Sequence, residues 1–222
     1  MLQSQSSTPF IDAVFQTYLA ALIRGDSSRC LAIVKELIDA QIDIRDLYTQ
    51  LFQSSLYQVG RLWEQNKISV AREHLATAIT DRAMHLAYPR LFADPPSGRK
   101  RAVVSCAANE MHQIGGKMVA DILELNHWDT HFLGANTPPI QLLTHIGEES
   151  TSLVALSLSV YFNMPSLLQT ITLIHDTYPG MQIIVGGQAF LHGGLEAVQS
   201  FEAVTYFSGI AEMEAHIGKG IE

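Results

Sequence analysis

Charged side chains are scarce in this chain: they make up 16% of its 222 residues, against 47% for hydrophobic ones. With a mean hydropathy of +0.13, that balance excludes a disordered or solvating chain. Positive charge is scarcer still. The 14 Lys and Arg against 22 Asp and Glu leave a formal net charge of -8. Such a surface has little with which to release counterions from phosphates, so no direct nucleic-acid contact is expected. Cysteine is almost absent. Cys30 and Cys106 sit in apolar surroundings without metal-type spacing, and both are expected to be reduced core thiols of a cytoplasmic protein. The opening residues MLQSQSSTPF lack a basic and then apolar leader, and no apolar run reaches the about 18 residues that span a bilayer; neither a signal peptide nor a membrane contact is expected. No GxGxxG or GxxxxGK[ST] occurs, which disfavours a nucleotide-binding enzyme. Internal repeats and low-complexity tracts are missing too.

What is present suffices for a large core, since a chain of this length buries roughly 70% of its unfolded surface. Its character changes at residues 93–100, where Pro95-Pro96 and Ser97-Gly98 form the one cluster of breakers between two patterned segments. Upstream the period is helical. Pro9 stands near the start of a first helix carrying Ile11, Val14, Phe15, Tyr18, Leu19 and Leu22, which ends at Gly25. Asp26 or Ser27 can cap a second, with Leu31, Ile33, Val34, Leu37 and Ile38. Asp43 can cap a third over 44–65, with Leu47, Leu51, Leu56, Val59 and Leu62 inward, and Ser69 opens a fourth that runs to about Leu91. The expectation is a four-helix bundle over 9–92, then a linker over 93–100.

Downstream, short β-branched runs alternate with helical stretches. Strands are expected at 101–107, 128–133, 153–159, 182–185 and 203–207, and helices at 115–125, 138–146, 165–178 and 195–201. That alternation predicts right-handed crossovers and a flavodoxin-like, five-stranded parallel sheet over 101–222, with ligands meeting the carboxyl ends of the strands. The loops after the strands therefore matter most. After the first come Glu110, Met111, His112, Gln113, Ile114 and Gly115. His112 either caps the next helix or is presented to a metal, with Glu110 accepting its other ring N–H. Ser157-Leu158-Ser159 and Gly186-Gly187-Gln188 follow the third and fourth strands, and their small residues suit a slot for a long, flat ligand tail. In the helical half, Trp63 and Glu73-His74 flank one helix joint. Taken singly, these are a core Trp and a surface pair.

In combination, ExHxxG at 110–115, LGxNTP at 133–138, SLS at 157–159 and GGQ at 186–188 resemble the cobalamin-binding fold behind a helical cap. Trp63, with nine residues before Glu73-His74, further resembles the light-sensing cobalamin proteins related to MerR-type repressors. By that resemblance His112 is the lower axial cobalt ligand and Glu110 its partner. Ser157, Ser159, Gly186 and Gly187 line the tail slot, with Met111, Gln113, Ile114, Gly115, Leu158 and Gln188 also cofactor-binding. Trp63, Val70 and Glu73 cover the upper face, and His74 becomes an upper ligand after light.

The function implied is a non-enzymatic light sensor holding adenosylcobalamin between cap and sheet. Its output goes to a regulatory protein partner or to self-association, because the winged-helix DNA-binding part of those repressors does not precede the cap helices here. The alternative is a corrinoid methyl carrier, using methylcobalamin, of a methyltransferase system. Those carriers usually show DxHxxGK, whereas Glu110 replaces Asp and Gly116 stands between Gly115 and Lys117. A third reading is a haem or other tetrapyrrole sensor ligated by His112.

Overall fold

The computed structural model describes residues 8–92 and 100–217. Apart from Lys100, the expected linker 93–100 lies outside the described residues, as do the Ile11 side chain and residues 218–222 of the expected second domain. The chain divides into two compact units, one ending at Arg90 and one beginning at Leu91.

The first unit is helical. Helix α1 (Thr8–Arg24) ends at Gly25, whose φ of +77° reverses the chain. Asp26 caps α2 (Ser27–Asp39) by accepting the Arg29 N–H, and Asp43 caps α3 (Ile44–Asp46) by accepting that of Arg45. Between α3 and α4 (Ser54–Glu64) runs a π-helical segment, Leu47–Gln53. The straight helix expected over 44–65 is corrected there. Ser54 Oγ donates to Thr49 O at 2.9 Å, an i→i−5 bond that fits the wider turn. The wider turn buries Tyr48 and Phe52 beside Leu47 and Leu51, whereas Leu56 and Leu62 remain half-buried. Phe52 packs obliquely on both Tyr48 and Tyr18. Ser69 caps α5 (Val70–Met84), and a 3₁₀ turn at His85–Ala87 leads into α6 (Tyr88–Leu91). Helices α1, α2, α4 and α5 pack on one another around Tyr18, Leu22, Val34 and Ala76.

The second unit holds, among the described residues, five parallel strands in the order β2-β1-β3-β4-β5. They are β1 (Arg101–Cys106), β2 (Asp129–Phe132), β3 (Leu153–Ser157), β4 (Gln182–Gly186) and β5 (Val204–Tyr206). The helices are α7 (Ile114–Leu125), α8 (Pro139–Glu148), α9 (Met164–Thr177), α10 (Leu195–Gln199) and α11 (Ile210–Ile217). β1 and β3 are covered on both faces, which is why their sequences are continuous apolar runs. Val103, Val154, Ile183 and Val185 join Leu142, Ile146, Leu167 and Ile171 in one core.

Four of the expected strands overran the observed ends, whereas β4 runs one residue further than expected, to Gly186. β3 stops at Ser157 because the N–H of Ser159 turns from the sheet to a side-chain acceptor, Glu110. β5 starts after Ala203, whose φ of +58° is not a strand conformation. Among the described residues no helix is long and apolar enough to cross a membrane.

Candidate functional site

Three loops meet beyond the carboxyl ends of β1, β2 and β3. Asn109, at φ +67°, directs its backbone N–H to Asn136 Oδ1 at 2.9 Å, and the Asn136 N–H returns to Glu110 O at 2.9 Å. Asn109 Nδ2 donates to Ser166 Oγ at 3.1 Å, and Asn163 Nδ2 donates to Asn109 O at 3.1 Å. The loop after β1 is thus clasped to the loop after β2 and to the start of α9. Sequence reasoning passed over these asparagines as positioning residues. The available signal was asparagine's tolerance of left-handed backbone directly after a strand.

Held in this clasp, Glu110 is fully buried. Its Oε1 accepts the His112 N–H at 2.9 Å and lies 2.6 Å from His112 Nδ1. Its Oε2 accepts the N–H groups of Ser159 and Val160, each at 2.9 Å. Burial opposes ionisation, but the bonds from the His112 ring and from the His112, Val160 and Ser159 backbones outweigh it and bring the carboxyl down to about 2. An ionised carboxylate only accepts hydrogen bonds. Nδ1 of His112 is therefore the donor to Glu110, and whenever the ring is neutral this arrangement leaves its lone pair on Nε2. The His112 side chain is 52% exposed. It does not cap α7, which corrects one of the two readings of this residue: the N-cap is Gln113, and no side chain bonds the helix there.

The first turn of α7 lies against β3 at Gly115 and Gly116. A Cβ on Gly115 would lie 3.6 Å from Ser157 Oγ, and one on Gly116 would lie 3.4 Å from Ser157 Cβ. Ile114 is buried, whereas Met111 and Gln113 are exposed. Gly186, the last residue of β4, and Gly187 after it meet backbone rather than open space. Gly187 has φ +120°, and a Cβ there would stand 2.2 Å from Leu158 O. Leu158 is fully buried; its N–H donates to Gly186 O at 3.0 Å and its O accepts the Ala189 N–H at 3.2 Å. Gln188 is half-buried at the start of a 3₁₀ turn, Gln188–His192. The post-strand loops also expose Val160, Tyr161 and Leu191, and leave Phe162 88% accessible.

In the helical unit, Trp63 is 47% exposed near the end of α4, so the core-Trp reading does not hold. Val70, the first residue of α5, is also exposed. Glu73 accepts from Thr77 Oγ1 at 3.0 Å and lies 3.6 Å from His74 Nε2. The His74 side chain is 73% exposed.

A parallel sheet that presents a carboxylate-oriented imidazole in its first post-strand loop, accompanied by a helical unit, defines the two-part corrinoid-binding class. Two family models, each described as a B12 binding domain, match residues 14–88 and 100–206. The chain belongs to the B12-binding family, and cobalamin is the cofactor class that goes with it. It is 25% identical over 189 residues to the HTH-type transcriptional repressor CarH of Myxococcus xanthus, covering 84% of this chain and 61% of that protein. It is 23% identical over 126 residues to monomethylamine corrinoid protein 1 of Methanosarcina mazei, covering 55% of this chain and 58% of that protein. The chain thus spans about three-fifths of each relative's length. Its fold is that of the Methanosarcina barkeri monomethylamine corrinoid protein, with a TM-score of 0.79 at 15% identity over 95% of this chain and 99% of that one.

Proposed function

We propose that this chain is a cobalamin-binding light sensor that uses adenosylcobalamin. The observation that carries the cofactor site is the Glu110–His112 pair. A buried carboxylate holds the ring by Nδ1, so that Nε2 is the ligating nitrogen, and neutral imidazole is a good cobalt ligand. His112 would hold the cofactor from below. Ser157, Ser159 and Gly115 would meet its tail, together with Met111, Gln113 and Ile114 from the same loop. Leu158, Gly186, Gly187 and Gln188 would support the slot as packed backbone. Trp63, Val70 and Glu73 would shield the upper face, and His74 would serve as the second imidazole in the lit state. When bound, the cofactor supplies a cobalt–carbon bond that light breaks. Output would pass to a regulatory protein partner or to a change in self-association.

Two things support the sensor reading. The similarity to CarH runs through too much of the chain to belong to either unit alone, and Trp63 with Glu73-His74 keeps the spacing of the light-sensing proteins. The likeness of fold to the monomethylamine corrinoid protein favours a second reading, a methyl carrier that uses methylcobalamin. The absorption spectrum of the full chain with adenosylcobalamin, in the dark and after green light, separates them. A sensor should give a bis-imidazole spectrum that persists in darkness. If the lit wild type and His74→Ala give one and the same water-ligated spectrum, the carrier reading replaces the sensor reading.

A further inference from the structure

The edge of the sheet carries a cluster of side chains that the cofactor reading leaves unused. His131 lies on β2, the edge strand, in register with Val103. Its Nδ1 is 2.9 Å from Nε2 of His145 on α8. Glu149, the C-cap residue of α8, follows His145 by one helical turn, and one atom from each of the three side chains lies within 4.8 Å of the other two. All three residues are half-buried. We propose that His131, His145 and Glu149 bind one divalent transition-metal ion of the zinc type, a second metal site separate from His112.

The donor set sets the class of ion. Two imidazoles and one carboxylate suit zinc and its neighbours, whereas hard ions such as magnesium and calcium select oxygen alone. Zinc–ligand bonds of about 2.0–2.1 Å place tetrahedral ligands about 3.3 Å apart. The two ring nitrogens, now 2.9 Å apart, need to part by a few tenths of an ångström and turn from each other toward the shared ion, and a Glu149 oxygen already lies within 4.8 Å of both. The C-terminus of α8, where helix carbonyls point, favours a cation.

The surroundings hold the acid in place. Arg101 Nη1 donates to Glu149 Oε2 and, at 3.3 Å, to Glu149 O, while the same guanidinium bonds Asp129. Arg101 thus engages one carboxylate oxygen, and the other serves the metal. His131 pairs with Val103 within the body of β1, and Glu149 is tied to Arg101, the first residue of β1, so the cluster is separate from His112, which lies in the loop beyond the carboxyl end of β1.

The test is a titration of the cofactor-free full chain with zinc chloride against a chromophoric chelator, joined to X-ray absorption at the zinc edge. A single zinc should bind, with two imidazoles and one carboxylate oxygen in its first shell. His131→Gln and His145→Gln should each weaken it by more than the about 10–100-fold that loss of an outer-shell partner causes, and His112→Ala should leave it unchanged. If His131→Gln fails to fold, His145→Gln and the absorption spectrum of the wild type decide. Absent binding, or binding unchanged in the histidine variants, would show that the two rings share only an N–H···N bond. Loss in His112→Ala would move the zinc to the loop after β1. Either result overturns the proposal, and neither bears on cobalamin.

Discussion

The buried side chain of Glu110 accepts the backbone N–H of Ser159 at 2.9 Å, joining two loops that lie 49 residues apart in the chain. With its other oxygen on His112, one carboxylate fixes both the position of the imidazole and the course of the chain after β3.

Glu110→Gln should therefore cost stability as well as ligation. An amide has one acceptor oxygen for four donors, and its NH₂ must face an N–H, so a loss of about 1–3 kcal/mol is expected in urea unfolding at neutral pH. The wild type should lose this advantage in acid. The Glu110 carboxyl drops from an ordinary 4.5 to about 2 on folding, so its contribution is complete above 4.5 and fades as pH falls toward 2. Equal stability of variant and wild type at neutral pH would contradict the clasp.

Gly187→Ala tests the junction between the β3 and β4 loops. The φ of +120° should by itself cost about 1–3 kcal/mol with any other residue, and the Cβ would collide with Leu158 O. Urea unfolding of the variant at wild-type denaturant concentrations would show that the junction relaxes freely.

The caps of α2, α3 and α5 were legible because Asp26, Asp43 and Ser69 act through bonds to residues two or three positions on. The parallel sheet was legible because β1 and β3 are apolar on both faces. The loop 110–115 stood out by its motif, and with it the His112 ring as a partner of Glu110; the partners on the other oxygen did not, because Ser159 and Val160 donate backbone groups that carry no sequence signal. The π-helical segment was hidden for a related reason. Its wider turn extends the buried stripe from Leu47 and Leu51 to Tyr48 and Phe52, and only tertiary packing rewards that change. Gly187 read as slot lining because the sequence shows a small residue, not the carbonyl packed against it.

The two thiols should be inert in the folded chain. Burial pushes Cys30 up to about 11, with Asp26 adding to it, and pushes Cys106 up to about 12, with Glu110 adding to it. Alkylation with iodoacetamide in mildly alkaline buffer should modify neither residue until urea is added. Rapid labelling of the native chain at Cys106, whose Sγ lies 3.6 Å from His112 O, would mean that the His112 loop opens readily.

Trp63→Ala should leave the fold nearly intact, because the ring is already 47% exposed; a change within about 0.5 kcal/mol is expected in thermal unfolding. Under the proposed function, its effect should fall on cofactor choice. The wild type should prefer adenosylcobalamin to methylcobalamin in competitive binding, and the variant should lose that preference. Equal preference in both proteins would support the methyl-carrier reading.

The central claim is that Nε2 of His112 is the lower ligand of cobalt. Electron paramagnetic resonance of the reduced, paramagnetic cobalamin bound to the full chain measures this directly. Histidine labelled with heavy nitrogen should turn the nitrogen triplets of the cobalt signal into doublets, and His112→Ala should abolish that splitting and weaken binding. A splitting untouched by histidine labelling, or an unchanged signal and affinity in His112→Ala, would contradict the assignment.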